Sequence, residues 1–244
     1  LDEILSEEYY VLATPASFNT PMGITITIRQ QLKNLHEVFI VEMGADKVGD
    51  INGLTKFVKP QYGIVTSIGP QHLATFKTIN NIIKEKMKMI ENLPQDGVGV
   101  LNFDNEHIRH YKIQNPCRII TVGIDSEDVD FRAINITYTP EGSEFMIRNE
   151  GELHPFKTRL LGKHNVSNIL VAIAVGLTTV ISHSATANLL IPLALSLAVG
   201  LPVDVTAVGV MVALACSLAM ALPISTPPNA LAYATGEVPT SEMI

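Results

Sequence analysis

At 244 residues, 47% of them hydrophobic, the chain is sized for one large or two small soluble domains. A formal net charge of -7, with no basic stripe interleaved with aromatics, excludes a nucleic-acid-binding surface. The two cysteines, Cys117 and Cys216, lie far apart, which excludes a disulfide framework and a zinc spacing and points to a reducing compartment for the first part of the chain.

The sequence opens at Leu1 with no basic segment ahead of an apolar run, so no signal peptide is expected and a start in mid-protein is. Tyr9 to Ala13, Val38 to Val41, Gly63 to Val65, Val98 to Leu101 and Ile119 to Val122 are short apolar runs that predict strands. Between them, Asp50 to Val58 and Ile79 to Leu93 carry helical spacing. Alternation of this kind implies an α/β fold with a parallel sheet and crossover helices. From Phe131 to Leu160 the period changes to two, with turns at Pro140-Glu141-Gly142 and Asn149-Glu150-Gly151, which predicts an antiparallel meander. His164-Asn165 then caps a helix expected to start near Val166.

Three predicted strands run into polar residues: Glu42, the pair Thr66-Ser67, and Asn102. Ligands of open parallel sheets bind at the carboxyl ends of strands. An acid there offers a hard oxygen to magnesium where phosphates arrive. Ordinary strand-exit turns use the same residue types, so spacing alone leaves both readings open.

Four strings decide between them. Thr14-Pro15-Ala16-Ser17-Phe18-Asn19-Thr20-Pro21-Met22-Gly23 resembles the loop after the first nucleotide-binding helix of Mur ligases. Val41-Glu42-Met43-Gly44-Ala45, Ser67-Ile68-Gly69-Pro70-Gln71-His72-Leu73 and Leu161-Gly162-Lys163-His164-Asn165-Val166-Ser167-Asn168 resemble the same family, in the same order. The likeness is greatest to the type that adds D-alanyl-D-alanine to a UDP-muramoyl-peptide, and it covers residues 1–176, an expected central, ATP-binding domain. The resemblance implies Mg2+ and ATP as cofactors, UDP-muramoyl-peptide and D-Ala-D-Ala as partners, and a cytoplasmic location for this part. It implies Glu42 as a ligand of the magnesium that bridges the ATP phosphates, His72 as a ligand of a second magnesium, and Lys86 as a carbamylated lysine. Asn165 and Asn168 would line an adenine pocket, and Asn19 would lie near the phosphates. Carbamylation turns an ammonium into a carboxylate-like anion that can bind magnesium. Taken by residue type alone, His72 could be a helix-capping or core histidine, Asn165 could be an N-cap, and the run from Lys84 to Lys88 could be a solvated face. Lys88 stands where the family pattern has an acid. The phosphate-cradling string G-x-x-G-K-[ST] occurs nowhere in the 244 residues, so the expected fold is a central domain without that loop and with little catalysis of its own.

The charge pattern changes at Lys163, the last basic residue; only Asp204, Glu237 and Glu242 carry charge beyond it. Val205 to Ile224 is uncharged and near the length of one membrane-spanning helix, so residues 177–244 are expected to be a helical membrane fragment in contact with lipid. Ser182-His183-Ser184-Ala185-Thr186-Ala187-Asn188 and Leu222-Pro223-Ile224-Ser225-Thr226-Pro227-Pro228-Asn229-Ala230 resemble the hairpin tip and the unwound helix of divalent anion/sodium symporters. That resemblance implies a C-terminal transporter fragment, with Ser182, His183, Ser184, Thr226, Pro227 and Asn229 facing an anion and Na+. His183 and Ser184 replace the family's Asn and Thr. The two resemblances meet without a Gly/Ser- or Pro-rich linker, which makes a fusion of two gene fragments the expected origin of the chain.

Overall fold

A computed structural model describes residues 1–7 and 9–177. The chain divides into two compact units, one of residues 1, 15–25 and 41–175, the other of residues 2–14, 26–40 and 176–244.

In the second unit a short helix α1 (Asp2–Leu5) leads into β1 (Val11–Ala13), which pairs in parallel with β2 (Val38–Ile40). Tyr10 stacks on His36 with ring centroids 4.7 Å apart, and its backbone N–H donates to the Glu37 carboxylate at 2.9 Å, which fixes the start of both strands. Helix α2 (Pro21–Gln31) joins the two strands in sequence. It starts within the string that resembles a loop, so Pro21 to Gly23 are helical and the loop ends at Thr20. Pro21 explains the start: its fixed φ suits the first helical position, where its missing N–H is not needed.

The first unit is built on a six-stranded mixed sheet in the order β3 (Tyr62–Val65), β4 (Val98–Asn102), β5 (Arg118–Gly123), β6 (Phe131–Thr139), β7 (Gly142–Asn149), β8 (Glu152–Thr158). The first four are parallel neighbours; β6, β7 and β8 form the predicted antiparallel meander. Helix α3 (Asp50–Val58) stops at Lys59, which takes a left-handed φ of 53° ahead of Pro60. Helix α4 (Leu73–Phe76) is a single turn. Helix α5 (Ile79–Glu91) starts at Thr78, whose hydroxyl accepts from Asn81 N–H at 3.2 Å. Its apolar face, Ile82, Met87 and Ile90, is fully buried with Val65, Phe76 and Leu101. The glycine in β4 lets α5 come close: a methyl on Gly99 would lie 2.9 Å from Ile119 Cδ1 and 3.1 Å from Ile90 Cδ1. Helix α6 (Glu106–Arg109) is capped by Asn105, and α7 (163–177) follows the meander. Helix α7 starts at residue 163, three residues before the expected Val166, so His164 and Asn165 belong to its first turn and do not cap it. The Lys163 amine pairs with Asp125, whose hydrogen bond holds it above the ordinary lysine range and anchors that first turn.

Among the described residues no helix is long and apolar enough to cross a membrane. The expected membrane span and the residues expected to face an anion and Na+, Ser182, His183, Ser184, Thr226, Pro227 and Asn229, lie outside the described residues.

Candidate active site at the strand ends

The polar residues after β2, β3 and β4 form the candidate site, all within the first unit. Two residues beyond β2, Glu42 accepts from Asn19 Nδ2 at 2.9 Å. The Asn19 carbonyl accepts from Gly44 N–H at 2.8 Å, so one asparagine grips the loop twice. Gly44 is required for this: a Cβ there would lie 2.9 Å from Asn19 Cγ. An amide is neutral, so this bond orients the Glu42 carboxylate without cancelling its charge. Asn19 and Glu42, far apart in sequence, are thereby brought together.

The loop after β3 carries Gln71 and His72. His72 stands at the N-cap position of α4 with a left-handed φ of 52°, and its side chain makes no capping bond to the following turn. Its Nε2 instead lies 3.5 Å from Asp46 Oδ1, with both side chains largely exposed. The Thr75 hydroxyl joins the two main chains, reaching the His72 carbonyl at 2.9 Å and the Asp46 carbonyl. Lys86, on α5, donates to Gln71 Oε1 at 3.0 Å. It is half-buried, and desolvation lowers its amine below the ordinary lysine range. A solvated lysine face therefore does not describe this position.

Glu85, the neighbour of Lys86, is only 4% exposed. Its Oε1 accepts from the N–H groups of Ile51 at 2.8 Å and Asn52 at 3.2 Å, in the first turn of α3. A carboxylate there satisfies orphan donors and meets the positive end of the helix. Asp50 Oδ2 in turn accepts from Asp46 N–H at 3.0 Å and Lys47 N–H at 2.9 Å. A closed polar circuit results: Lys86 to Gln71, His72 to Asp46, Asp46 to Asp50, Ile51 to Glu85, and so back to Lys86. Asp46, Asp50 and Glu85 went unnoticed in the sequence because their partners come from other loops and helices.

At the end of β4, Asn102 Nδ2 donates to the Thr66 carbonyl at 3.0 Å, and Asn105 Nδ2 to the Ile68 carbonyl at 2.9 Å, tying the β3 and β4 exits together. Asp104, also missed, accepts three backbone N–H bonds, from Ile124 at 2.7 Å and from Asp125 and Ser126 at 2.9 Å. On α7, Asn165 Nδ2 donates to the Leu161 carbonyl at 2.8 Å, and Asn168 is exposed. Among the described residues no three His, Cys, Asp or Glu side chains converge as a ready-made metal cage. The donors present, carboxylates and one imidazole, do suit a hard divalent cation that keeps several waters or ligand oxygens.

The Mur ligase middle domain matches residues 1–176. The chain belongs to the Mur ligase family. The UDP-N-acetylmuramoyl-tripeptide--D-alanyl-D-alanine ligase of Haemophilus influenzae is 29% identical over 178 residues, which is 72% of this chain and 38% of that protein. The enzyme of the same name from Bacillus subtilis is 29% identical over 173 residues, 71% of this chain and 36% of its own length. Among solved structures, the MurF ligase from Thermotoga maritima in complex with ADP shares the fold with a TM-score of 0.64 at 24% identity, covering 72% of this chain and 40% of that one. The chain thus spans about two fifths of the length of the relatives it matches.

Proposed function

We propose that this chain supplies the metal- and adenine-holding part of an ATP-dependent amide ligase of peptidoglycan-precursor synthesis, the type that joins D-Ala-D-Ala to a UDP-muramoyl-peptide, working in the cytoplasm. The domain carrying this activity ends near residue 176. The observation that carries the reading is Lys86: a half-buried, desolvated amine held by Gln71, one residue from His72.

In this reading Glu42, oriented by Asn19, holds the Mg2+ that meets the ATP phosphates, and His72 holds a second Mg2+. Asn165 and Asn168 line the adenine side. When bound, Mg-ATP supplies the phosphoryl group that activates an acid for attack by an amine. A desolvated lysine spends more time as the free amine, the form that reacts with CO2. Its Nζ lone pair attacks the carbon, one C–O π bond opens to an anionic oxygen, and the surplus N–H proton leaves to solvent. The product is a carbamate anion where an ammonium stood, which suits a magnesium site.

The 244 residues contain no G-x-x-G-K-[ST] string, so the phosphate cradle is not among the groups they supply. The expected outcome is no measurable ATP hydrolysis and only very weak Mg-ATP binding by this chain, checked by calorimetric titration. Micromolar or tighter binding contradicts this assignment. Carbamylation is tested separately: with 13C-labelled bicarbonate, a carbamate resonance is expected that vanishes in Lys86→Arg. A resonance that persists in that variant, or none in the wild type, removes Lys86 from the site.

A further inference from the structure

We propose that Asp46 is a second protein ligand, beside His72, of the divalent cation held at the carboxyl end of β3; the inference rests on the reading of His72 as a metal ligand. Asp46 Oδ1 stands 3.5 Å from His72 Nε2. Two donors each ~2.1 Å from one octahedral ion stand roughly 3 Å apart, so a small side-chain rotation lets this pair share an ion. The two side chains, 54% and 78% exposed, face solvent, which leaves the outer positions of such an ion to water or ligand oxygens.

The main chain around Asp46 is fixed on both sides. Its N–H donates to Asp50 Oδ2, and its carbonyl accepts from Thr75, whose hydroxyl also reaches the His72 carbonyl. The buried Glu85 carboxylate holds the turn of α3 that carries Asp50. Both donors therefore stand on main chain held by hydrogen bonds before any ion arrives, with their side-chain tips meeting each other at 3.5 Å. An exposed ion pair contributes little to stability, so the circuit around this one is not explained by the pair itself. A cation site does require donors held in place by a supporting shell of bonds. The carboxylate also supplies negative charge, which His72 cannot.

The probe is Mn2+, a hard cation that accepts carboxylate and imidazole donors and reports its own binding through water-proton relaxation. The full chain is titrated as wild type, Asp46→Asn, Asp46→Glu and His72→Gln. Asp46→Asn keeps the backbone bonds and removes only the charge; it is expected to weaken Mn2+ binding about tenfold or more. Asp46→Glu returns a carboxylate and is expected to recover most of that loss. Paramagnetic broadening of the His72 ring signals is expected in the wild type and should fade in Asp46→Asn at the same Mn2+ concentration. Unchanged affinity in Asp46→Asn, with affinity lost in His72→Gln, overturns the role of Asp46 and leaves His72 as a ligand. No binding by the wild type, or no loss in either variant, overturns the metal reading of His72 as well.

Discussion

The parallel and antiparallel parts of one sheet are put to different uses. Strands β3 and β4 end in loops that bond across to other segments: Asn102 to Thr66, Asn105 to Ile68, and Gln71 to Lys86 on α5. The meander β6 to β8 turns back on itself through short turns at residues 140–141 and 150–151. Its side chains bond mainly to neighbouring strands or to the single loop between β5 and β6, as Arg148 does to the Glu127 carbonyl and Asn149 to the Asp130 carbonyl. Lys157 pairs with Glu144 on the next strand at 2.5 Å, and Phe145 packs on Phe156 with centroids 5.3 Å apart. The difference follows from connectivity. Parallel strands bring all their carboxyl ends to one side, where several loops meet; antiparallel strands alternate ends and gather no such set.

The largest effects come from substitutions that treat the two parts alike in stability and unlike in binding. Phe76 is 1% exposed below the β3 loop, and Phe145 is 3% exposed in the meander. Phe76→Ala and Phe145→Ala are each expected to cost about 3–5 kcal/mol in urea unfolding. In conditions where both remain folded, only Phe76→Ala should also weaken Mn2+ binding, because it loosens the turn that follows His72. Equal loss of binding in both would erase the comparison.

Glu85 gives a smaller effect. Glu85→Ala leaves two N–H groups at the start of α3 without their acceptor, and about 1–3 kcal/mol of stability should be lost. Faster hydrogen exchange at Ile51 and Asn52 would locate the damage. Glu85→Gln retains an acceptor oxygen and should recover part of it.

Glu42→Gln separates function from stability further. Glu42 is exposed, so unfolding free energy should move by no more than about 0.5 kcal/mol. Metal-dependent nucleotide binding should nevertheless fall, since a neutral amide replaces the charge aimed at the cation.

The smallest effect is a pH slope. Burial lowers the Lys86 amine in the folded state. Between that depressed value and the ordinary lysine value the unfolded chain binds more protons, so stability rises with pH through this window. Below the window the cost of burying the ammonium is present in full. Urea unfolding from about pH 7 to about pH 10 should show this rise, and Lys86→Met should flatten it.

The sequence made the strands of both parts legible, because runs such as Val98-Gly99-Val100-Leu101 and the alternation after Phe131 leave few other structures open. Helix α3 was legible for the same reason, its apolar spacing being unambiguous over Asp50–Val58. Helix α2 was not: Ile24-Thr25-Ile26-Thr27-Ile28 alternates with a period of two and is β-branched throughout, so local propensity argues against the helix that forms. Asn19 and Glu42 were found through family likeness, and the structure joins them. Glu85 was out of reach, because a buried acid that caps a distant helix looks, in sequence, like any acid in a lysine-rich stretch; Asp46 and Asp50 were out of reach because their partners come from loop geometry that no local pattern shows. Residues 178–244 lie outside the described residues, so their membrane and transport readings rest on sequence strings alone.

Amide chemical-shift mapping of the full chain with Mg-ADP tests most directly whether the parallel strand ends form the ligand site. The account predicts shifts at Gly44, Gly69 and His72, after β2 and β3, and at Asn105, after β4, with residues 143–158 of the meander unmoved. Shifts centred on β7 and β8, or no shifts at all at millimolar ligand, would contradict it.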